Sequence, residues 1–260
     1  SLFKVKMYMK RILILGSKPQ ALFDNFDVAY CANAASSFYE NRLSQGSGVV
    51  KSIISASELV GNKRIGNADK TNWLENKLPM LVDNSKSKIF LINHNHFPAA
   101  VSIVNKSSFL GECELINSRE LALIQDKVTS LREPIWTKFH RKVPFTEFLR
   151  NIKGFITDNI KYLTIDSHQI SGLFRPSTGV ISLIKAIDEN GYLARYEVSG
   201  IGIKNRGFYP DGAINTWTPK SKLEAYHVYV DRLICEVLAE RYLITFRDES
   251  MTYLNSKDCN

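Results

Sequence analysis

Short, almost unbroken apolar runs, each closed by a polar or glycine-containing corner, set the pattern of this chain. Residues 11–15 (RILIL) form the first, and Gly16, Ser17, Lys18 and Pro19 follow at once. Such a run, without polar alternation, predicts a strand buried on both faces that ends in a tight loop. Residues 27–32 (DVAYCA) predict a second strand ending at Asn33, residues 49–54 a third, and residues 88–93 (KIFLIN) a fourth. Residues 110–119 suggest a further strand and turn. Residues 195–199 (RYEVS), followed by Gly200, Ile201 and Gly202, and residues 243–246 (LITF) predict the last two.

Between these runs the hydrophobic period lengthens. Within residues 177–189, Val180, Ile181, Leu183, Ile184 and Ile187 have the spacing of a helix packed on a sheet. Asn190 and Gly191 should stop it. Residues 226–242 carry Val230, Leu233, Ile234, Val237 and Leu238 at the same spacing, and residues 67–78 are a weaker helical segment. Residues 137–161 are basic and aromatic, with Phe139, Phe145, Phe148 and Phe155, and read as short helices or a lid. Residues 205–222, rich in Gly, Pro, Asn and Trp, read as a long loop of the kind that carries function. Strands alternating with helices predict an α/β fold: a single Rossmann-like, doubly wound, mostly parallel sheet with a lid-like insertion. Residues 1–260 read as one domain, with excursions over 137–170 and 203–226.

Composition narrows the class. At 44% hydrophobic and 23% charged residues the chain matches a soluble globular protein. Its formal net charge of +8 favours anionic partners. The excess is spread out, with no run of five like charges, so it is equally the charge of a solvated basic surface. The cysteines, Cys31, Cys113, Cys235 and Cys259, form no CxxC pair and fit no zinc spacing. Cys31 and Cys235 sit among apolar neighbours, as buried free thiols do, which fits a reducing compartment. Residues 1–10 lack an apolar core long enough for a signal peptide, and no run of 18 apolar residues occurs. The expected location is cytoplasmic, with any membrane contact peripheral.

Ligands of open α/β sheets bind beyond the carboxyl ends of the strands. The polar or glycine-bearing strand ends are therefore the places for chemistry: Gly16 and Ser17, Asn33, residues 93–96, and residues 200–202. The first is neither GxGxxG nor a P-loop. Ser177, Thr178 and Gly179 open a helix, whose free N–H groups suit an anion or a carboxylate. They are equally an ordinary N-cap. His227 opens the later helix four residues before Asp231, on one helix face, and could serve as a general base near neutral pH. It reads as well as a half-buried histidine. His94 and His96 alternate along a strand end, without a third ligand for a metal. No Asp-x-Asp occurs, so no carboxylate pair is ready to hold Mg2+ or Mn2+ on a diphosphate.

The order of these pieces resembles the bacterial lipooligosaccharide sialyltransferases, a metal-independent family that uses CMP-activated sugars on a modified α/β nucleotide-binding fold of the GT-A-variant type. Residues 11–19 (RILILGSKP) are similar to the family's first strand and its Gly-polar-Gly-Pro-Ser loop. Residues 26–33 (FDVAYCAN) resemble its Phe-Asp-Val strand ending in Cys-Asn. Residues 174–180 (FRPSTGV) resemble its Arg-x-Thr-Ser-Gly-Val segment, and residues 197–201 (EVSGI) its Leu-Ser-Gly-Ile-Asp strand end. Residues 227–231 (HVYVD) fall where the family places its catalytic histidine. The similarity is dense only in these pieces, and residues 54–168 match poorly.

The resemblance implies roles. Gly16, Ser17 and Asn33 would meet the cytidine monophosphate. Arg175, Ser177, Thr178, Gly179, Gly200 and Ile201 would surround the donor. His227 would take the proton from the acceptor hydroxyl, and Tyr209 and Tyr226 would stabilise the leaving phosphate. No metal or other cofactor is implied. The partners implied are a CMP-sugar donor and a glycan or glycolipid acceptor, with a peripheral membrane contact and a homo-oligomer both compatible. Ser17 replaces the family's usual loop Asn, Asn33 sits one place late, and Gly202 stands where the family has Asp. These departures leave room for another ulosonic acid, such as Kdo, pseudaminic or legionaminic acid. The competing reading is a basic nucleotide- or nucleic-acid-binding α/β protein without transferase activity. Neither a clustered basic stripe nor a recognised nucleic-acid module supports it, so nucleic acid is not an expected partner. A hydrolase or methyltransferase is disfavoured by the absence of GxSxG and GxGxxG.

Overall fold

The computed structural model describes residues 9–16, 21–33, 35–44, 48–60, 87–92, 96–107, 109–130, 176–201 and 222–255; of residues 222–229 only the backbone is described. Seven strands form one sheet: β1 Lys10–Leu15, β2 Val28–Ala32, β3 Val49–Ser55, β4 Lys88–Ile92, β5 Glu112–Ile116, β6 Ala194–Ser199 and β7 Ile244–Phe246. The order is β5-β4-β3-β2-β1-β6-β7, and every pairing is parallel. All seven apolar runs read from the sequence are strands here. The runs expected at 67–78 and 137–161, and the loop at 205–221, lie outside the described residues.

The helices among the described residues are α1 Ala35–Phe38, α2 Glu40–Ser44, α3 Ala56–Leu59, α4 Phe97–Lys106, α5 Ser118–Thr129, α6 Thr178–Asn190 and α7 Lys222–Ala239. Their placement follows from handedness. The chain steps in one direction from β1 to β5, and right-handed crossovers put α1 to α4 on one face of the sheet. It then returns to the far side of β1, so α5, α6 and α7 cover the other face. Side-chain alternation in the central strand serves both layers. Ile12 and Ile14 pack with Val180, Ile184 and Ile234, while Leu13 and Leu15 pack with Ala35, Tyr39 and Leu43. Each of the fully buried Ile, Leu and Val side chains among them stabilises the fold by about 1.5–3 kcal/mol.

Three sequence expectations are corrected. The last helix begins at Lys222, five residues before His227. Leu223, Glu224 and Ala225 are strong helix formers and extend it upstream. Residues 222–226 therefore belong to this helix and not to the excursion. His96 does not continue a strand: β4 ends at Ile92, and His96 is the residue before α4, while His94 lies outside the described residues. Residues 118–119, expected as a turn, open α5, where the Asn117 side chain accepts the Glu120 N–H at 2.9 Å.

The C-terminus of α6 meets β2 and β3 through a polar network. Glu189 lies in the last turn, where the helix dipole disfavours a carboxylate. Lys51 Nζ compensates at 2.6 Å and Lys185 Nζ at 3.2 Å, and the Tyr30 hydroxyl donates to the same carboxylate. Burial would raise the Glu189 carboxyl, but the hydrogen bonds from Lys51 and Tyr30, with the Lys51 and Lys185 charges, outweigh it and hold the group below its ordinary value of 4.5. A carboxyl lowered in the folded state contributes stability that is present above its unfolded value and lost as pH falls through the folded one. The wild-type protein should therefore lose stability below pH 4.5 more steeply than Glu189→Gln does. Urea unfolding across that range reads the difference. Parallel acid limbs for the two proteins would show that Glu189 carries no such linkage.

Candidate functional site

The strand order reverses between β1 and β6, so the crevice of this sheet opens beyond their carboxyl ends. There the two strand ends touch through backbone alone. Gly16 N–H donates to Ser199 O at 2.8 Å. A Cβ on Gly16 would stand 2.0 Å from Gly200 O, and Gly200 itself turns at φ +73°. Only glycine permits both the approach and the turn. Gly179, in the first turn of α6, completes the contact, because a Cβ there would meet the Ile201 side chain at 3.0 Å. The fold thus brings Gly16, Gly179, Gly200 and Ile201 into one junction, although they come from three distant stretches of chain.

Asn33 ends the neighbouring strand. Its backbone is left-handed at φ 50°, a conformation asparagine tolerates better than most residues. Its Oδ1 accepts the Ser55 N–H at 3.1 Å, and its own N–H donates to Ile53 O at 2.8 Å. Asn33 therefore ties the end of β2 to β3, a role that its residue type explains without a ligand.

Ser177 is the N-cap of α6, with extended backbone and its hydroxyl accepting the Val180 N–H at 3.5 Å. Its own N–H donates to Asp231 Oδ1 at 2.7 Å. The Asp231 side chain is buried, and its carboxylate, after burial itself, helps push the Cys235 thiol one turn later well above its ordinary range. A second carboxylate acts alike at the end of β6, where Asp248 Oδ2 accepts the Ile201 N–H at 3.1 Å. The main-chain N–H groups of two residues that the resemblance sets around the donor, Ser177 and Ile201, are thus held by the protein's own acids. The N–H groups of Thr178 and Gly179 are without an acceptor among the described residues, as is usual in a first helical turn.

Asp248 is the part of this site that the sequence pattern does not single out, and Asp231 is singled out only as the residue four after His227, not as an acceptor for Ser177. The available signal for Asp248 is modest: one acid two residues after the last strand. His227 itself lies in the second turn of α7, four residues before Asp231. At about 1.5 Å per residue that is about 6 Å along the axis toward the helix N-terminus. Its side chain and that of Tyr226 are outside the described residues, as are Ser17, Arg175 and Tyr209 altogether. Among the described residues no group of three or more His, Cys, Asp or Glu could hold a metal ion, and no helix is long and apolar enough to cross a membrane. No family model, no curated protein and no solved structure matches this chain.

Proposed function

We propose that this chain is a glycosyltransferase that moves a sialic acid, or a related ulosonic acid such as Kdo, pseudaminic or legionaminic acid, from its CMP conjugate to a glycan or glycolipid acceptor. The fold would be the sialyltransferase-like variant of the Rossmann-like sheet, with residues 137–170 and 203–221 as lid or acceptor-side excursions. One observation carries this reading: the short pieces that resemble the family fall at the carboxyl ends of β1 and β2, at the end of β6 and at the start of α6, around one topological switch point. A nucleotide-sugar binds in that crevice in folds of this class.

The reaction follows from the assigned roles. The acceptor hydroxyl attacks the anomeric carbon of the donor from the face opposite the phosphate. Its proton passes to the His227 imidazole. The bond from the anomeric carbon to the phosphate oxygen breaks, its electron pair stays on that oxygen, and CMP leaves with inversion at the sugar. The Thr178 and Gly179 N–H groups at the helix N-terminus are placed to receive an anionic oxygen of the donor. Tyr209 and Tyr226 donate to the leaving phosphate. Catalysis without a metal would rest on these donors, and the work would be done at the cytoplasmic side, on a soluble acceptor or one at the membrane face.

Thermal denaturation with a nucleotide panel tests the reading. A ligand that binds only the folded chain at a hundred times its Kd stabilises it by about 2.7 kcal/mol. For a chain of this size that raises the midpoint by roughly 5–10 °C. CMP or CDP should give such a shift, and UDP, GDP and S-adenosylmethionine should not. A panel in which CMP and CDP leave the midpoint unmoved removes the proposal.

A further inference from the structure

Parallel sheets in doubly wound folds are normally covered on both faces. Here the right-handed crossover from β6 to β7 carries α7 to the face of Ile12 and Tyr196. Among the described residues no helix covers the opposite face of β6 and β7. That face is polar in sequence: Arg195 and Glu197 on β6, Thr245 on β7 and Arg247 just after it. Arg11 joins them from β1. In the parallel ladder Arg11 is paired with Arg195 and Leu13 with Glu197. The surface holds a cavity of about 210 Å3, lined by Arg11, Asp24, Arg195, Glu197, Thr245 and Arg247, among others.

The charges in this cavity do not balance pair by pair. Arg247 consumes both carboxylates: Nε donates to Glu197 Oε1 at 3.1 Å and Nη2 to Asp24 Oδ2 at 2.8 Å. Glu197 Oε1 also accepts the Asp24 N–H at 3.3 Å. The guanidinium groups of Arg11 and Arg195, both exposed, form no ion pair among the described residues, and the one carboxylate at Arg11, that of Asp27, accepts its main-chain N–H at 2.7 Å. Arg11 and Arg195 face each other on adjacent strands whose backbones lie about 4.8 Å apart, and like charges at such facing positions repel. A site that keeps both guanidinium groups there is arranged for an external anion.

We propose that Arg11 and Arg195 bind the phosphate group of a small ligand on this open face. A carboxylate has two acceptor oxygens and is satisfied by one guanidinium fork. A phosphate monoester carries a charge near −2 and three terminal oxygens, which two adjacent forks can share. The cavity is smaller than the roughly 300–1,000 Å3 of a site that encloses a drug-sized ligand, so it takes the phosphate end of a molecule that extends outward. It is also separate from the crevice. Arg11 precedes Gly16 by five residues, about 16 Å along an extended strand.

Calorimetric titration of the full chain with inorganic phosphate, at ionic strength held constant with chloride, tests this site. One saturable site is expected. Arg195→Gln should weaken it about tenfold or more, the loss expected for a charge-assisted hydrogen bond. Arg11→Gln should act alike, and Arg195→Lys should only partly restore binding, because an ammonium lacks the fork. Both arginines are exposed, so these variants fold, and a circular dichroism spectrum like that of wild type checks it. A repeat with glucose 6-phosphate in place of phosphate should bind at the same site, and cytidine, which has no phosphate, should leave the isotherm unchanged. Stabilisation by CMP should persist in Arg195→Gln, because the crevice and not this face carries it; its loss there removes the transferase reading and leaves this site standing. Absence of saturation, wild-type affinity in both Gln variants, or loss of phosphate binding in the presence of cytidine would each overturn it.

Discussion

Gly16→Ala should destabilise the fold by about 3 kcal/mol or more, toward the upper end of what overpacking costs. The new methyl would lie 2.0 Å from Gly200 O, 2.5 Å from Gly200 C and 2.9 Å from Ile201 N. All three are main-chain atoms, so no side chain can swing away. Gly200 is as closely fitted from its own side: it turns at φ +73°, and a Cβ there would meet Gly16 O at 2.7 Å and Ala21 Cβ at 3.2 Å. The strand ends must separate, and the Gly16 N–H bond to Ser199 O is lost with them. Against a typical total of 5–15 kcal/mol, this change removes a large share of stability. Gly191→Ala supplies the control. Gly191 has φ +62°, but nothing lies within 4 Å of an added Cβ. With ψ at −147° it lies in a region that essentially only glycine adopts, so its cost is conformational alone, about 1–3 kcal/mol. Urea unfolding of both variants measures the difference. If Gly191→Ala proves the more damaging, the close contact between β1 and β6 is not what requires glycine at position 16.

The second large effect is kinetic. His227→Ala should lower transfer from a matched CMP-ulosonic acid by about 10²–10⁴-fold, the range of a general base. CMP affinity should change little, because the proposed role of His227 is toward the acceptor and not the nucleotide. In the wild type the rate profile should show an acidic limb that reports protonation of the base. That limb should disappear in the variant. CMP release assayed with and without acceptor separates transfer from donor hydrolysis. Unchanged turnover in the variant would exclude His227 as the base, even if CMP still raises the melting midpoint.

The two substitutions probe parts of the protein that differ in how far they can be read from sequence. The strands β1 to β4 are legible because each is a local, mostly buried run with a polar or glycine corner behind it; β6 and β7 show alternation instead, with one polar face, and β5 is largely exposed and the weakest signal. The α6 helix is equally legible from Val180, Ile181, Leu183, Ile184 and Ile187, all buried as the spacing requires. The α4 and α5 helices are less so, since their buried positions are diluted by exposed ones such as Leu123. Their capping signals are nonetheless present: Pro98 in the first turn of α4, and Asn117 three residues before Glu120. The start of α7 is misplaced by the pattern because polar residues with strong helix propensity extend a helix beyond its apolar stripe.

What the sequence by itself determined is therefore the class of the fold and the identity of most of its elements, since these depend on periodicity over a few residues. It also marked Gly16, Ser177, Gly179, Gly200 and Ile201 as corners worth attention. Only the tertiary structure decided which corners meet. The strand order put β6 beside β1, and that non-local pairing joined Gly16 to Gly200 and set Arg11 opposite Arg195. Packing of α7 across the start of α6 delivered the Asp231 carboxylate to the Ser177 N–H, and the chain after β7 delivered Asp248 to Ile201. Ladder register and helix packing link residues more than forty positions apart, and no local window of sequence carries that information.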